Sequence, residues 1–269
     1  MNQTLPAPGA TLVQRVVRRV EPLLLLAALL LLWWLASHRE WVSRVFLPTP
    51  EATWASLWQG LTQTPGADAA DLGVASVQTL LRMVLGWGLA SVAGIALGAL
   101  IGMSRWAREW ISPTLEFVRP LPASAVLPLA ISLFGLSAGM VLFVVAFGAM
   151  WPVLLATVQG LAQVEPRLRE VSAGLQMSRI AFAWKIGLPS TLPDILAGMR
   201  LSMTVSLIVA VVGEMIASQA GLGQAILLAA RSFRASELFA GIVLLGLLGF
   251  ASNALLARAE HHLLRWQRP

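Results

Sequence analysis

An all-α polytopic membrane protein with about six transmembrane helices is what the sequence predicts, and three observations predict it. Of its 269 residues, 57% are apolar and only 12% charged, against roughly a quarter charged in soluble domains. That is too few to cover a wetted surface of this size. Three stretches carry no charge at all: residues 83–104, 120–164 and 238–257. A span needs about 20 apolar residues, so the longest run holds two helices, hinged at Gly135-Leu-Ser-Ala-Gly139. Finally, none of these runs alternates apolar with polar residues, as barrel strands would. Helices are the remaining way to satisfy backbone groups in lipid.

The elements follow in order. Residues 1–19 form a basic tail ahead of a first span over about 20–37. Arg15, Arg18 and Arg19 before Leu23 to Ala36 resemble a signal peptide. The following Ser-His-Arg-Glu-Trp offers no small-x-small cleavage site, so the helix is expected to be retained. Thr49-Pro50-Glu51 is a helix start, and Trp54, Leu57, Trp58 and Leu61 then share one face of an interfacial helix. Residues 64–71 link it to the second span, 76–103. There Gly86, Ala90, Gly94, Gly98 and Gly102 form a stripe along which another helix can approach closely. Whether that partner is the same chain or a second copy stays open.

The third span, 114–135, is interrupted by Pro120, Pro122 and Pro128, and the fourth covers 140–159. A loop over 160–193 leads to the fifth, 194–217. It holds Arg200 and Glu214, about 21 Å apart on one stripe with Thr204 and Val211. Intramembrane charges rarely face lipid, so this stripe should face protein or a water-accessible path. For Arg200 the expectation is a charge satisfied by neighbouring backbone; Glu214 is the better functional candidate. The sixth span is 238–257, and residues 258–269 are a basic tail.

Of nineteen basic residues, twelve fall in segments that are cytoplasmic if the N-terminus is, and four (Arg39, Arg44, Arg231, Arg234) fall outside. That asymmetry satisfies the positive-inside rule with both termini cytoplasmic. It also accounts for the net charge of +6 without invoking nucleic acid. Enzyme chemistry has no constellation to stand on. The histidines are His38, His261 and His262, there is no cysteine, and the sole lysine, Lys185, sits in Trp-Lys-Ile rather than a phosphate-binding loop. No catalytic, metal-binding or cofactor-binding residue is assigned. A secondary transporter would often show two related halves with midplane carboxylates; Glu214 alone lies well inside a span.

The segment 166–189 is too polar for lipid and too apolar for a linker. Pro166 suits a helix start, and Leu168, Val171 and Leu175 share one face beside a small patch at Ser172, Ala173 and Gly174. A second short helix carries Phe182, Trp184 and Ile186. Such a pair suits a groove on a soluble partner, or it lies on the inner leaflet held by Arg179 and Lys185. Chemistry alone leaves both open.

This segment resembles the cytoplasmic loop of ABC importer permeases, with Glu170 at its start and Ile186-Gly187-Leu188-Pro189 at its end. The resemblance extends through "LPTP" at 47–50, "SVQTLLRMVLGW" at 76–87, "GALIGMSR" at 98–105 and "VRPLPASAVLPLAISLFG" at 118–135. It continues in "LPSTLPDILAGMR" at 188–200, "VVGEM" at 211–215 and "GLG" at 221–223. Together these look like the nitrate/taurine/sulfonate group. Four positions depart from the pattern: Val171-Ser172 stand for two alanines, Ala173 for an arginine, and Gln176 for a glycine. Glutamine there must take a right-handed conformation or accept strain, and the elbow is expected to survive.

The resemblance implies a type I importer permease fold in the bacterial inner membrane. It implies a second permease copy, two cytoplasmic ATPase subunits that hold ATP and Mg, and an external solute-binding protein. Glu170, Val171, Ser172, Ala173, Gly174, Leu175, Gln176, Met177, Ser178 and Arg179 would form the ATPase-coupling surface. The path would run near Ser124, Ser132, Arg200, Thr204, Ser206 and Glu214, for a small anionic or sulfonate-, nitrate- or taurine-like solute. The competing readings are a secondary transporter and a membrane-embedded enzyme or assembly factor.

Overall fold

The structure is a computed structural model that describes residues 12–62, 71–118 and 122–265. The tail before Leu12, most of the 64–71 linker, Arg119 and Pro120, and the last four residues lie outside the described residues. Every regular element among those described is helical: α1 (Leu12–His38), α2 (Pro50–Thr62), α3 (Leu72–Gly102), α4 (Arg105–Val118), α5 (Leu127–Phe134), α6 (Ala138–Ala162), α7 (Pro166–Gly174), α8 (Arg179–Phe182), α9 (Leu188–Ala217), α10 (Leu222–Arg231) and α11 (Ala235–Leu263). Four helical stretches are long and apolar enough to cross a membrane: Leu72–Gly102, Ala138–Ala162, Arg179–Ala217 and Ala235–Leu263. Leu23–His38, Ala123–Phe134 and Leu222–Arg231 are shorter apolar helices.

The core is a slab of α3, α6 and α9. The small stripe of α3 meets α6 of the same chain, which answers the question the sequence left open. A Cβ on Gly94 would stand 2.9 Å from Val153 Cβ and 3.0 Å from the carbonyl oxygen of Met150; one on Gly98 would stand 2.6 Å from Thr157 Cβ. On the other side of α6, a Cβ on Gly198 of α9 would stand 2.8 Å from the Pro152 oxygen. Ser202 Oγ donates to the Ala149 oxygen at 2.6 Å, and Trp87 Nε1 to the Met199 oxygen at 2.9 Å. Backbones approach this closely only where side chains are absent.

The region of 114–135 is not one helix. Residues 114–118 close α4, whose exposed Trp106, Trp110, Pro113 and Phe117 lie at helical spacing, as on a helix lying in the interface. The chain resumes as a short 3-10 turn, Ala123–Val126, which runs directly into α5. This half-helix begins level with the middle of α6, since a Cβ on Gly148 would stand 2.6 Å from Ala123 Cβ. Prolines supply no amide for a continuous helix, and the break suits them. The expected hinge is present: Gly135 takes φ 66 at the end of α5, and Ser137 caps α6 through the Met140 amide.

The fifth span also differs from its expected start. The second short helix runs on through a five-residue π-turn at Ala183–Gly187 into α9. The wider turn, closed by the Leu188 amide on the Ala183 oxygen, sits just ahead of Pro189, which has no amide to give. Helix α2 splits its apolar face. Leu57 is buried with Leu72, Ala225 and Leu244, while Trp54 and Trp58 stay exposed.

Candidate functional site

Two regions hold residues singled out from the sequence, an elbow at one end of the slab and a groove along it. At the elbow, α7 ends in a reciprocal backbone cap: the Met177 amide reaches the Ser172 oxygen and the Gln176 amide the Ala173 oxygen, both at 3.0 Å. This closure requires a left-handed residue just past the helix, and Gln176 provides it at φ 49. Of the two options expected, glutamine takes the strained one, and the bend is kept. Ser178 then caps α8 through the Ala181 amide. Val171, Leu175 and Ile180 are 55%, 69% and 71% exposed. Glu170, Ala173, Gly174 and Arg179 are exposed, and Ser172 and Met177 half-buried.

A residue the sequence reading passed over braces this elbow. Arg169 Nη2 donates to the Leu161 oxygen at 2.5 Å, near the end of α6, and its guanidinium lies 6.0 Å from the Phe182 ring centre. It therefore ties α7 both to α6 and to the helix leading into α9. An arginine one residue before Glu170 was visible as charge, but its target is a carbonyl that no side-chain motif reports.

The groove follows α9, facing α6 in one half and the half-helix from Ala123 in the other. The half nearer the elbow, its inner half, is a cavity of about 520 Å³ reached by Trp151, Leu155, Gln159, Gln163, Asp194 and Leu201. Its outer half, about 260 Å³, is lined by Ser124, Leu127, Ile208 and Val212. Ala123 and Val205 border both. From Asp194 to Val212 the groove follows α9 for about 27 Å at about 1.5 Å per residue, close to the ~30 Å hydrocarbon thickness. The half-helix walls the outer part, and Leu201 and Ile208 are exposed along the groove's open side.

Of the path residues expected from sequence, Ser124 lines the groove. Thr204 and Ser132 are exposed without bordering either cavity, and Ser206 is buried, donating to the Ser202 oxygen of its own helix. Arg200 turns away and pairs with Glu260 of α11 rather than with backbone.

Glu214 also turns away from the groove, fully buried in a polar node. Its Oε1 accepts from Arg82 Nη1 at 2.7 Å; its Oε2 accepts from Thr79 Oγ1 at 2.9 Å and from the Gly223 amide at 3.0 Å. Arg82 also donates to the Ala220 oxygen, and the Leu222 amide donates to Thr79 Oγ1. A Cβ on Gly221 would collide with the Glu214 carboxylate, so glycine is what lets the start of α10 settle onto it. The node thus joins α3, α9 and α10. No group of three or more His, Asp or Glu side chains among the described residues is placed to hold a metal.

With this geometry in hand, comparison with known proteins is direct. Residues 90–268 match the family model of binding-protein-dependent transport system inner membrane components. The chain is 32% identical over 189 residues to SsuC of Bacillus subtilis, named as an aliphatic sulfonates transport permease, covering 70% of this chain and 68% of that one. It is 30% identical over 218 residues to the nitrate import permease protein NrtB of Synechocystis sp., covering 80% and 79%. It is 27% identical over 191 residues to the bicarbonate transport system permease protein CmpB of Synechococcus elongatus, covering 71% and 69%. All regular elements among the described residues are helical, four helical stretches are long enough to cross a membrane, and the family model matches residues 90–268, so the chain belongs to the binding-protein-dependent transport system inner membrane components, multi-pass permeases of ABC importers rather than catalytic subunits.

Proposed function

We propose that this chain conducts a small anionic or organic solute through the α6–α9 groove, driven by ATP hydrolysis in a separate subunit. Two copies work together with two cytoplasmic ATPase subunits, which hold ATP and Mg, and with an external solute-binding protein. Both termini face the cytoplasm. The observation that carries the reading is the elbow. Its exposed Val171, Leu175 and Ile180 stand on a short helix pair braced by Arg169 onto the two helices that wall the groove. Apolar side chains on a polar, cytoplasm-facing segment suit burial in a soluble partner. Movement of that partner would reach the groove walls directly. The names of the relatives support the solute class: aliphatic sulfonates, nitrate and bicarbonate.

The test is reconstitution with the partner ATPase and binding protein. Glu170→Lys is expected to abolish ATP-driven uptake while leaving membrane insertion and yield unchanged, because Glu170 is exposed and its side chain bonds to no other described residue. Normal uptake by that variant would remove the elbow from the coupling role. Uptake should also persist when the proton gradient is collapsed and ATP remains; its loss would favour a secondary transporter.

A further inference from the structure

The inner half of the groove has a chemistry that the family match does not specify. Its polar side chains are Asp194, Gln159 and Gln163, and none of them hydrogen-bonds or ion-pairs with another described residue. Asp194 sits where α9 crosses α6: Gly160 lacks the Cβ that would stand 2.7 Å from Asp194 Oδ2. The other walls are apolar, with Trp151, Leu155 and Leu201 prominent. Among the described residues no arginine, lysine or histidine lines either half. Of the described basic side chains close by in sequence, Arg167 lies by Glu165, Arg169 on the Leu161 oxygen and Arg200 on Glu260; Arg119 lies outside the described residues. The partly positive start of the 3-10 turn at Ala123 stands level with Val205, about 16 Å along α9 from Asp194. That is beyond the reach of a small solute held at Asp194. A second copy placed across the open side by two-fold symmetry would bring the same residues, adding a second carboxylate.

We propose that the inner groove is a cation-binding subsite. Asp194, with Gln159 and Gln163, takes the protonated amine or similar positive group of an organic solute whose apolar body lies along Trp151. A carboxylate with no cation beside it among the described residues attracts a positive group and repels a simple anion. The inference rests on the groove being the solute path. Within that reading it selects an amine-bearing or zwitterionic organic solute over an inorganic anion.

The experiment uses the full chain in nanodiscs and two probes with one aromatic body and opposite head groups, phenethylammonium and 2-phenylethanesulfonate. Binding is read by calorimetry. Phenethylammonium is expected to bind at least about tenfold more tightly than the sulfonate, a gap of about 1.4 kcal/mol. Asp194→Asn should erase that gap, and Asp194→Glu should largely keep it. The Asp194 side chain is exposed and bonds to no other described residue, so the variants should fold; an unchanged thermal transition checks this. Equal or tighter binding of the sulfonate, no binding of either probe, or an ammonium affinity indifferent to Asp194→Asn would overturn the proposal. Stimulation of the partner ATPase by this chain is measured separately. Its failure would strike the importer reading and leave the subsite result standing, whereas coupled ATPase with an unselective groove would strike the subsite alone.

Discussion

Gln176 holds a left-handed backbone, which costs an L side chain about 1–2 kcal/mol relative to its right-handed alternative. Glycine would remove that cost and add nearly as much unfolded-chain entropy, so Gln176→Gly should leave stability within about 1 kcal/mol of the wild type and preserve uptake. Gln176→Ile puts a β-branched residue where it is a conformational outlier. We expect it to loosen the elbow, speed amide exchange over residues 172–178, and let ATP hydrolysis run ahead of transport. At the buried node the energies are larger. Arg82→Ala strands the Glu214 carboxylate and should cost about 3–5 kcal/mol in detergent unfolding, whereas Arg82→Met with Glu214→Gln should recover much of that loss. Glu214 was legible in sequence as an acid inside a span, and Arg82 stands in the second span just before its uncharged run. Their pairing across 132 positions was not, because helical periodicity fixes each residue's face and says nothing about how two helices are rotated against each other.

At the scale of elements, the glycine stripe of α3 was readable because close helix approach needs small residues at every fourth position. A sharp test contrasts two glycines on that helix. Gly94→Leu must displace α6 backbone and should destabilise by at least about 1–3 kcal/mol. Gly88→Leu, which meets nothing within 4 Å, should be tolerated. Helices α4 and α10 were not foreseen. In α4 the apolar residues form a narrow stripe among charges, too weak to read as a span. In α10 the start is set by Gly221 resting on Glu214, a contact defined only in three dimensions. At α2, Glu51 has its carboxyl held below its ordinary value of 4.5. The chief cause is a hydrogen bond from its own backbone amide; Trp34 and Thr49 add to it. A lowered folded value means this contact contributes stability above the unfolded value and loses it as pH falls through the lowered one. Acidification below about 4.5 should therefore weaken the α1–α2 tie, seen as a Trp34-dependent fluorescence change that Glu51→Gln abolishes.

At the scale of the molecule, Leu201 and Ile208 of α9 stand 65% and 58% exposed along the open side of the groove, where the proposed second copy would sit. The chain has no cysteine, so single-cysteine variants need no background removal. Ile208→Cys should form a disulfide between two copies in membranes under oxidation, and Val92→Cys, 71% exposed on α3 away from the groove, should not. The slab behind that groove has a mechanical consequence. Where α3, α6 and α9 meet at Gly94, Gly98 and Gly198, there is no cushion of side chains to compress, and close-packed interiors transmit strain rather than absorb it. Such a slab tilts as one plate. A push at the elbow that swings its inner edge one way must swing its outer edge the other, so opening at one membrane face and closing at the other would follow from stiffness alone, without a separate gate for each side.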